Sequence, residues 1–173
     1  MIKIKKITLL LLFSFFTYSS VSQNLSFSEL LILSDNDIAE IEEKLTAKNW
    51  EFMGAVPQNG PIYGTVSFAF DKSRYDDSAV AFIQYMQSDH FNMLFIQTID
   101  KQKYGQYLKS IKSLGSVLGH TETDNGALVK FYKNTDIQKA FKVEISTAYQ
   151  GNRTINNYKI TIMSYIHYML LLI

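Results

Sequence analysis

The residue types that most often carry chemistry are scarce in this chain of 173 residues. It has no cysteine, and its three histidines are His90, His120 and His167. No two of them stand four residues apart, so their spacing does not indicate a zinc site, which needs clustered Cys, His or acidic ligands. Asp89 and His90 could form an acid–base pair, but no third residue in the pattern would orient it, and aspartate is equally typical of a turn. The sequence therefore predicts no metal, no cofactor and no catalytic residue.

Other catalytic patterns are missing or have structural explanations. Asp35-Asn36-Asp37 begins like a calcium-binding loop, but the glycine that such a loop requires is absent and residues 38–43 have a helical pattern. The acids therefore read as a helix cap. The chain has no G-x-S-x-G turn for a nucleophilic serine and no glycine-rich phosphate loop. These absences favour a protein that is not an enzyme.

Three segments have the pattern of helices that could position a site. Ser26 and Glu29 match a capping box that opens a short apolar turn. Residues 35–48 place apolar side chains at i, i+3 and i+7, which share one helical face. A third helix begins near Asp100 and continues with apolar residues at helical spacing to Leu114.

Between and after these helices the pattern changes to that of strands. Polar joins separate apolar or alternating runs, as in hairpins. The predicted strands are residues 65–70, 79–86, 91–99, 127–133, 140–149 and 157–165. The order is therefore α-β-β-β followed by α-β-β-β.

The two halves share a local pattern. The segment GTVSFAFDKSR at 64–74 has a counterpart, GALVKFYKNTD, at 126–136. We interpret this as a tandem duplication with halves of about 26–99 and 100–165. The prediction is a single α+β domain, 23–173, with one antiparallel sheet and helices packed on one face. The alternative is that an unrelated α+β protein has the same order of elements.

This element order resembles the β-lactamase-inhibitor-protein fold, in which two αβββ(β) units lie side by side with helices on one sheet face. The resemblance covers most of residues 26–165 and rests on the order of elements. It implies a protein-binding protein. No motif of the family is present, so no inhibitory residue is carried over, and its disulfides have no counterpart because the chain lacks cysteine.

Aromatic and charged residues on the sheet are the predicted binding surface. If the helices cover the face that bears Phe68, Phe82, Val129, Phe131 and Val143, then the opposite face bears Tyr85, Lys130, Tyr132, Lys142, Glu144 and Tyr165. Tyrosine is enriched at protein interfaces. The alternative is an ordinary half-exposed sheet face, because strands favour tyrosine in any case.

The N-terminus has the pattern of a signal peptide at residues 1–22. Three lysines precede an apolar run at 7–16, which is too short for the roughly 20 residues of a membrane-spanning helix. Small residues then favour cleavage after Ser22. The alternative is an anchor that is not cleaved. We expect export to the periplasm or the extracellular medium.

Removal of this segment changes the charge of the chain. The three lysines leave with it, so 14 basic residues face 16 acidic residues, a formal charge of −2. A nucleic-acid-binding protein would show a basic stripe instead, and a protein held at an anionic membrane surface would be polybasic. Without cysteine, an exported chain must rely on a packed core.

The C-terminal residues 160–173 are almost entirely apolar, and 166–173 form an apolar tail. Fourteen residues of helix span about 21 Å, too short for a bilayer core of about 30 Å, so no stable membrane span is expected after signal cleavage. The open interpretations are a final buried strand with an apolar stub, a truncated or frame-shifted end, and a tail that docks on a partner or membrane.

Three functions remain. The leading hypothesis is an exported, non-enzymatic module whose partner is another protein, of the inhibitor, immunity or envelope-accessory type. The second is a carrier of a small ligand with a pocket between sheet and helices. The third is a hydrolase whose site has no recognised motif.

Overall fold

The computed structural model describes residues 25–59, 64–76, 78–88, 91–150 and 153–172. The predicted signal peptide and the Asp89–His90 pair lie outside these ranges. Within them, the helices are α1 (Phe27–Leu33), α2 (Ile38–Thr46), α3 (Lys101–Ser113) and α4 (Tyr165–Leu170). The strands are β1 (Trp50–Val56), β2 (Gly64–Lys72), β3 (Ala79–Gln87), β4 (Asn92–Thr98), β5 (Val117–Asp124), β6 (Ala127–Asn134), β7 (Lys139–Gln150) and β8 (Arg153–Ser164).

All eight of these strands form one antiparallel sheet in the order β1-β2-β3-β4-β8-β7-β6-β5. Strands β1 to β4 follow one another as a meander, and β5 to β8 do the same. The pairing of β4 with β8 joins the two meanders in the middle of the sheet. Strands β1 and β5 are therefore the two edges.

The sequence pattern predicts three strands in each half, so it omits both edge strands, β1 and β5. In β1 the ladder shifts between Phe52 and Gly54, and Gly54 has φ 146°, so the apolar alternation breaks. In β5 the ladder shifts between Leu118 and His120, and almost every residue is exposed. An edge strand with a bulge and little burial lacks the period of two on which strand prediction depends.

One sheet face is covered by α1, α2 and α3. The apolar stripes of these helices pack on central sheet residues such as Phe68, Ile83, Ile96, Phe141 and Ile160, all at most 2 % exposed. The helix side chains in this main core are Phe27, Leu30, Leu33, Ile41, Leu45, Tyr104, Tyr107 and Ile111. This burial supplies most of the driving force that holds the helices to the sheet.

The prediction that the helices pack on one face is wrong for α4. Strand β8 ends at Ser164, whose side chain accepts a hydrogen bond from the backbone N–H of His167 and so starts α4. This helix turns onto the opposite face, where Tyr168 packs with Val129, Phe131 and other residues of a second, smaller core. Large apolar side chains on its outer side and just after its end stay exposed: Ile166, Met169, Leu170, Leu171 and Leu172. No helix in the described ranges is long and apolar enough to cross a membrane.

The capping box predicted at Ser26 is present. The Ser26 backbone N–H donates to Glu29 Oε2 at 2.7 Å, and the Glu29 N–H donates to Ser26 Oγ at 3.3 Å. Glu29 Oε1 also lies 2.6 Å from Lys48 Nζ, just beyond α2. The carboxylate therefore stabilises the start of α1 and links it to the end of the next helix.

We expect the stabilisation by Glu29 to disappear in acid. The hydrogen bond from Lys48, followed by those from Ser26, lowers the pKa of Glu29 from 4.5 to about 2. Because the pKa is lower in the folded state, the stabilisation is complete above the unfolded value and is lost as the pH falls from 4.5 towards about 2. In urea denaturation, the wild-type chain should be more stable than Glu29→Gln near neutral pH, and the difference should vanish near pH 2. A difference that does not depend on pH would contradict this account.

Candidate functional site

The sheet face opposite α1, α2 and α3 carries a mixture of aromatic, amide and charged side chains. We call the part of it outside the contact with α4 the open face. Strand registers bring these side chains next to one another. Its central members are Ser67, Phe82, Gln84, Phe95, Gln97, Lys142, Glu144, Asn157, Lys159 and Thr161.

The predicted site residues divide between the two faces. Lys142 and Glu144 lie on the open face. Tyr165 is the first residue of α4 and packs on the smaller core beside that face. Tyr85, Lys130 and Tyr132 do not lie on the open face.

Tyr85 and Tyr132 belong to the main core, at 1 % and 5 % exposure. The Tyr85 hydroxyl donates to the carbonyl of Asn36 at 3.2 Å, and burial raises the pKa of both tyrosines. Lys130 is half-buried and pairs with Val143 on the same helix-covered side. The prediction that Tyr85, Lys130 and Tyr132 lie on the face opposite the helices is therefore wrong.

The error lies in the assignment of faces along β3 and β6. The sequence pattern places three apolar residues on the helix-covered side that in fact lie on the other side: Phe82, Val129 and Phe131. Both strands have apolar residues at odd and even positions, so alternation alone does not orient them. Because the side-chain period is two, an error of one residue moves every side chain of a strand to the opposite face.

A charged network occupies the centre of the open face. Lys142 Nζ lies 3.2 Å from Glu144 Oε1, and Lys159 Nζ lies 3.8 Å from Glu144 Oε2. Each ammonium also lies over an aromatic ring, Lys159 at 4.5 Å from the Phe95 centroid and Lys142 at 6.0 Å from that of Phe131. One carboxylate thus faces two cations, in a setting where aromatic rings limit hydration.

Two polar atoms in this network are buried without a hydrogen-bond partner. They are Glu144 Oε2 and Thr161 Oγ1, and Thr161 as a whole is 2 % exposed. A buried polar group without a partner costs free energy, so native proteins rarely leave one. Both atoms belong to side chains on the outer face of the sheet, opposite the three packed helices.

Two grooves adjoin the network. One, of about 240 Å³, lies among Ser67, Phe82, Gln84, Phe95, Gln97 and Lys159. The other, of about 280 Å³, lies nearer the ends of the strands, among Val80, Phe82, Gln97, Ile99, Ala148, Tyr149, Ile155 and Asn157. They share Phe82 and Gln97, so aromatic and amide side chains line both grooves.

A second polar group lies where α4 meets β5. The His120 ring stacks on Phe131 at 4.3 Å, its Nδ1 is 3.5 Å from the Tyr168 hydroxyl, and its Nε2 is 3.9 Å from Glu122 Oε2. The contacts to Tyr168 and Glu122 are long for a catalytic relay, which needs about 2.6–3.2 Å. The group therefore reads as a contact that holds α4 on the sheet.

In the described part of the chain, no three His, Cys, Asp or Glu side chains are grouped so that they could hold a metal ion. Sequence reasoning missed Lys159, Thr161 and Phe95 as site residues. Lys159 and Thr161 were visible as the polar side of the alternation in β8, opposite Tyr158, Ile160 and Ile162. Phe95 had no such signal, because β4 is apolar on both sides.

No protein-family model, no curated protein and no solved structure matches this chain. Function must therefore be argued from the open face itself.

We expect the docking of α4 to depend on the absence of a side chain at Gly119. A Cβ atom there would lie 2.8 Å from the Tyr168 hydroxyl oxygen, and the buried tyrosine ring has little freedom to move. Gly119→Ala should cost about 1–3 kcal/mol of unfolding free energy, the usual range for overpacking. The cost should be much smaller in a Tyr168→Phe background, because the clashing oxygen is gone.

Urea denaturation of the four chains of this double-mutant cycle measures the coupling. Gly105→Ala is the control, since a Cβ atom at that exposed position in α3 meets nothing within 4 Å. It should stabilise the chain by up to about 1 kcal/mol. Equal costs of Gly119→Ala in both backgrounds would contradict the proposed contact.

Proposed function

We propose that this protein is an exported, non-enzymatic module that binds another protein through its open face. The observation that carries the proposal is a pair of buried atoms without a hydrogen bond, Glu144 Oε2 and Thr161 Oγ1, within a charged network on an outer sheet face. Leaving both without a hydrogen bond is unfavourable for the free chain, although Glu144 Oε2 keeps its ion pair with Lys159. A bound partner can supply the missing hydrogen bonds.

The size of the face suits a protein. Strands lie about 4.8 Å apart, so eight strands extend over roughly 34 Å. A standard interface buries roughly 800 Å² on each partner, which fits within such a sheet even where α4 covers one part. Aromatic side chains at its centre, such as Phe82 and Phe95, are typical of the anchor positions of interfaces.

A small-ligand carrier has less support. That hypothesis placed a pocket between sheet and helices, where large side chains such as Tyr85, Tyr107, Phe68 and Phe141 are fully buried. The two grooves beside the charged network lie on the other side of the sheet. The described cavities on the helix side lie between α1 and α2, at about 410 Å³, and beside Ile38 at the β1–β2 edge, at about 350 Å³, rather than under the centre of the helix layer.

The arrangement of the two halves of the sheet supports a tandem duplication. Each half contributes a meander of four strands, and β4 and β8 end the two meanders side by side. A tandem duplication would give this arrangement, and it is compatible with the resemblance to the β-lactamase-inhibitor-protein fold. The tandem duplication and the resemblance to that fold are parts of the proposal, and so is export directed by residues 1–22. The resemblance is a further reason to expect a protein partner.

A matched pair of arginine substitutions tests the binding face. Gln84 is exposed on the open face, and Gln106 is exposed on α3 on the other side of the molecule. We expect one protein from envelope extract or spent medium to be retained by immobilised wild-type chain and by Gln106→Arg. Its retention should fall at least roughly tenfold on Gln84→Arg, because an arginine would obstruct the concave face.

Urea denaturation of the three chains should give the same stability, because both positions are exposed. Equal retention of the same protein on all three chains would exclude the open face as the binding surface. A column that retains nothing specific would argue against a protein partner.

A further inference from the structure

We infer that the partner places a carboxylate over Thr161, between Lys142 and Lys159. This inference rests on the proposed function, because it names the chemical group that the open face recognises. The sheet register defines the position. Lys142 lies directly opposite Thr161, and Glu144 lies directly opposite Lys159.

These four positions form the corners of a square on neighbouring strands. Opposite residues lie about 5 Å apart, and diagonal neighbours lie about 7–8 Å apart, within reach of long side chains. The two lysines occupy one diagonal. Glu144 occupies a third corner, and the neutral Thr161 occupies the fourth.

The charges of the square are therefore incomplete. Two cations face one anion. The fourth corner, where a second anion would balance the charges, has the neutral Thr161. The Thr161 hydroxyl can donate a hydrogen bond and has no partner. A carboxylate over this corner would face both ammoniums, so the network would contain two positive and two negative charges. It would accept from the buried Thr161 hydroxyl once the side chains that cover this oxygen move aside.

The ammoniums have the capacity for a second anion. Each lysine offers three N–H donors. Lys142 is 3.2 Å from Glu144 Oε1, whereas Lys159, at 3.8 Å from Oε2, is too far for a hydrogen bond. Both side chains are partly exposed, at 25 % and 38 %, so they can turn towards an incoming group. A small movement of Lys159 would also satisfy Glu144 Oε2.

A single carboxylate suits this site better than other anions. A phosphate group carries a charge of about −1.5 to −2 and would leave excess negative charge beside Glu144. The neighbouring ring of Phe95, which is partly exposed, offers a contact to the apolar side chains that flank an acidic residue in a protein loop. Interfacial charge pairs mainly provide specificity and faster association, so we expect selectivity for the acid rather than high affinity.

The test uses two synthetic peptides, acetyl-Ala-Phe-Glu-Phe-Ala-amide and its Gln counterpart, titrated into the full-length protein. Backbone amide chemical shifts report binding by residue. We expect shifts at 142–144 and 159–161, and a dissociation constant at least roughly fivefold lower for the Glu peptide. This preference should disappear in the double variant Lys142→Gln/Lys159→Gln and persist in the control Lys109→Gln/Lys112→Gln on α3.

A second variant keeps the charges in place. Thr161→Val removes only the hydroxyl and should reduce the preference for the Glu peptide by at least roughly twofold. It tests the same corner if the double lysine variant does not fold, which circular dichroism will show.

The outcomes separate the two proposals. Equal affinity for both peptides on the open face, or tighter binding of a matching phosphoserine peptide, would overturn the carboxylate site and leave the protein-binding face in place. The absence of shifts on the open face with either peptide overturns the carboxylate site as well. The proposed function fails in addition only if the wild-type column retains no specific protein, or if retention of the partner protein is independent of Gln84.

Discussion

The pairing of β4 with β8 is the contact on which the rest of the molecule depends. It joins residues 93–98 to residues 158–163, which are far apart in the chain, and it lies at the centre of the sheet. On the helix-covered side, Leu94, Ile96, Ile160 and Ile162 are all buried at 2 % exposure or less. On the other side the same pairing places Phe95 opposite Thr161 and Gln97 opposite Lys159. The main core and the open face are thus two sides of a single ladder.

The sequence predicts the parts of this structure that have a strong local cause. The Ser26 capping box, the helix after Asp100 and the central strands all have signals that the final structure keeps. The edges β1 and β5 lack such signals, because a strand exposed on one side and interrupted by a bulge need not alternate. Their existence is decided by hydrogen bonds to β2 and β6, which are contacts in space rather than patterns in the chain.

The candidate site could be predicted only in part for a related reason. Lys142 and Glu144 alternate with Phe141 and Val143, so their face follows from the sequence. In β6, Val129 and Phe131 are buried under α4 and Tyr132 is buried in the main core on the other face, so hydrophobicity alone does not distinguish the two faces. The local signal for the six-residue α4 is its N-cap, Ser164, and the apolar segment that follows is equally typical of a continuing strand. The second core could therefore not be predicted, and the face of Lys130 and Tyr132 was reversed with it.

The division of the outer face into a covered and an uncovered part follows physical chemistry. The chain places α4 over Val129, Phe131 and Met163, which gain from removal from water. It leaves Lys142, Glu144 and Lys159 outside, because burial of charges under an apolar helix would cost more than their mutual attraction returns. Yet the network is not fully hydrated, since Glu144 is 18 % exposed and Thr161 is 2 % exposed. Partly desolvated charges at fixed positions on the sheet favour a partner whose charges complete their pattern over a partner whose charges do not. That selectivity is the physical reason for which we propose that the network serves recognition.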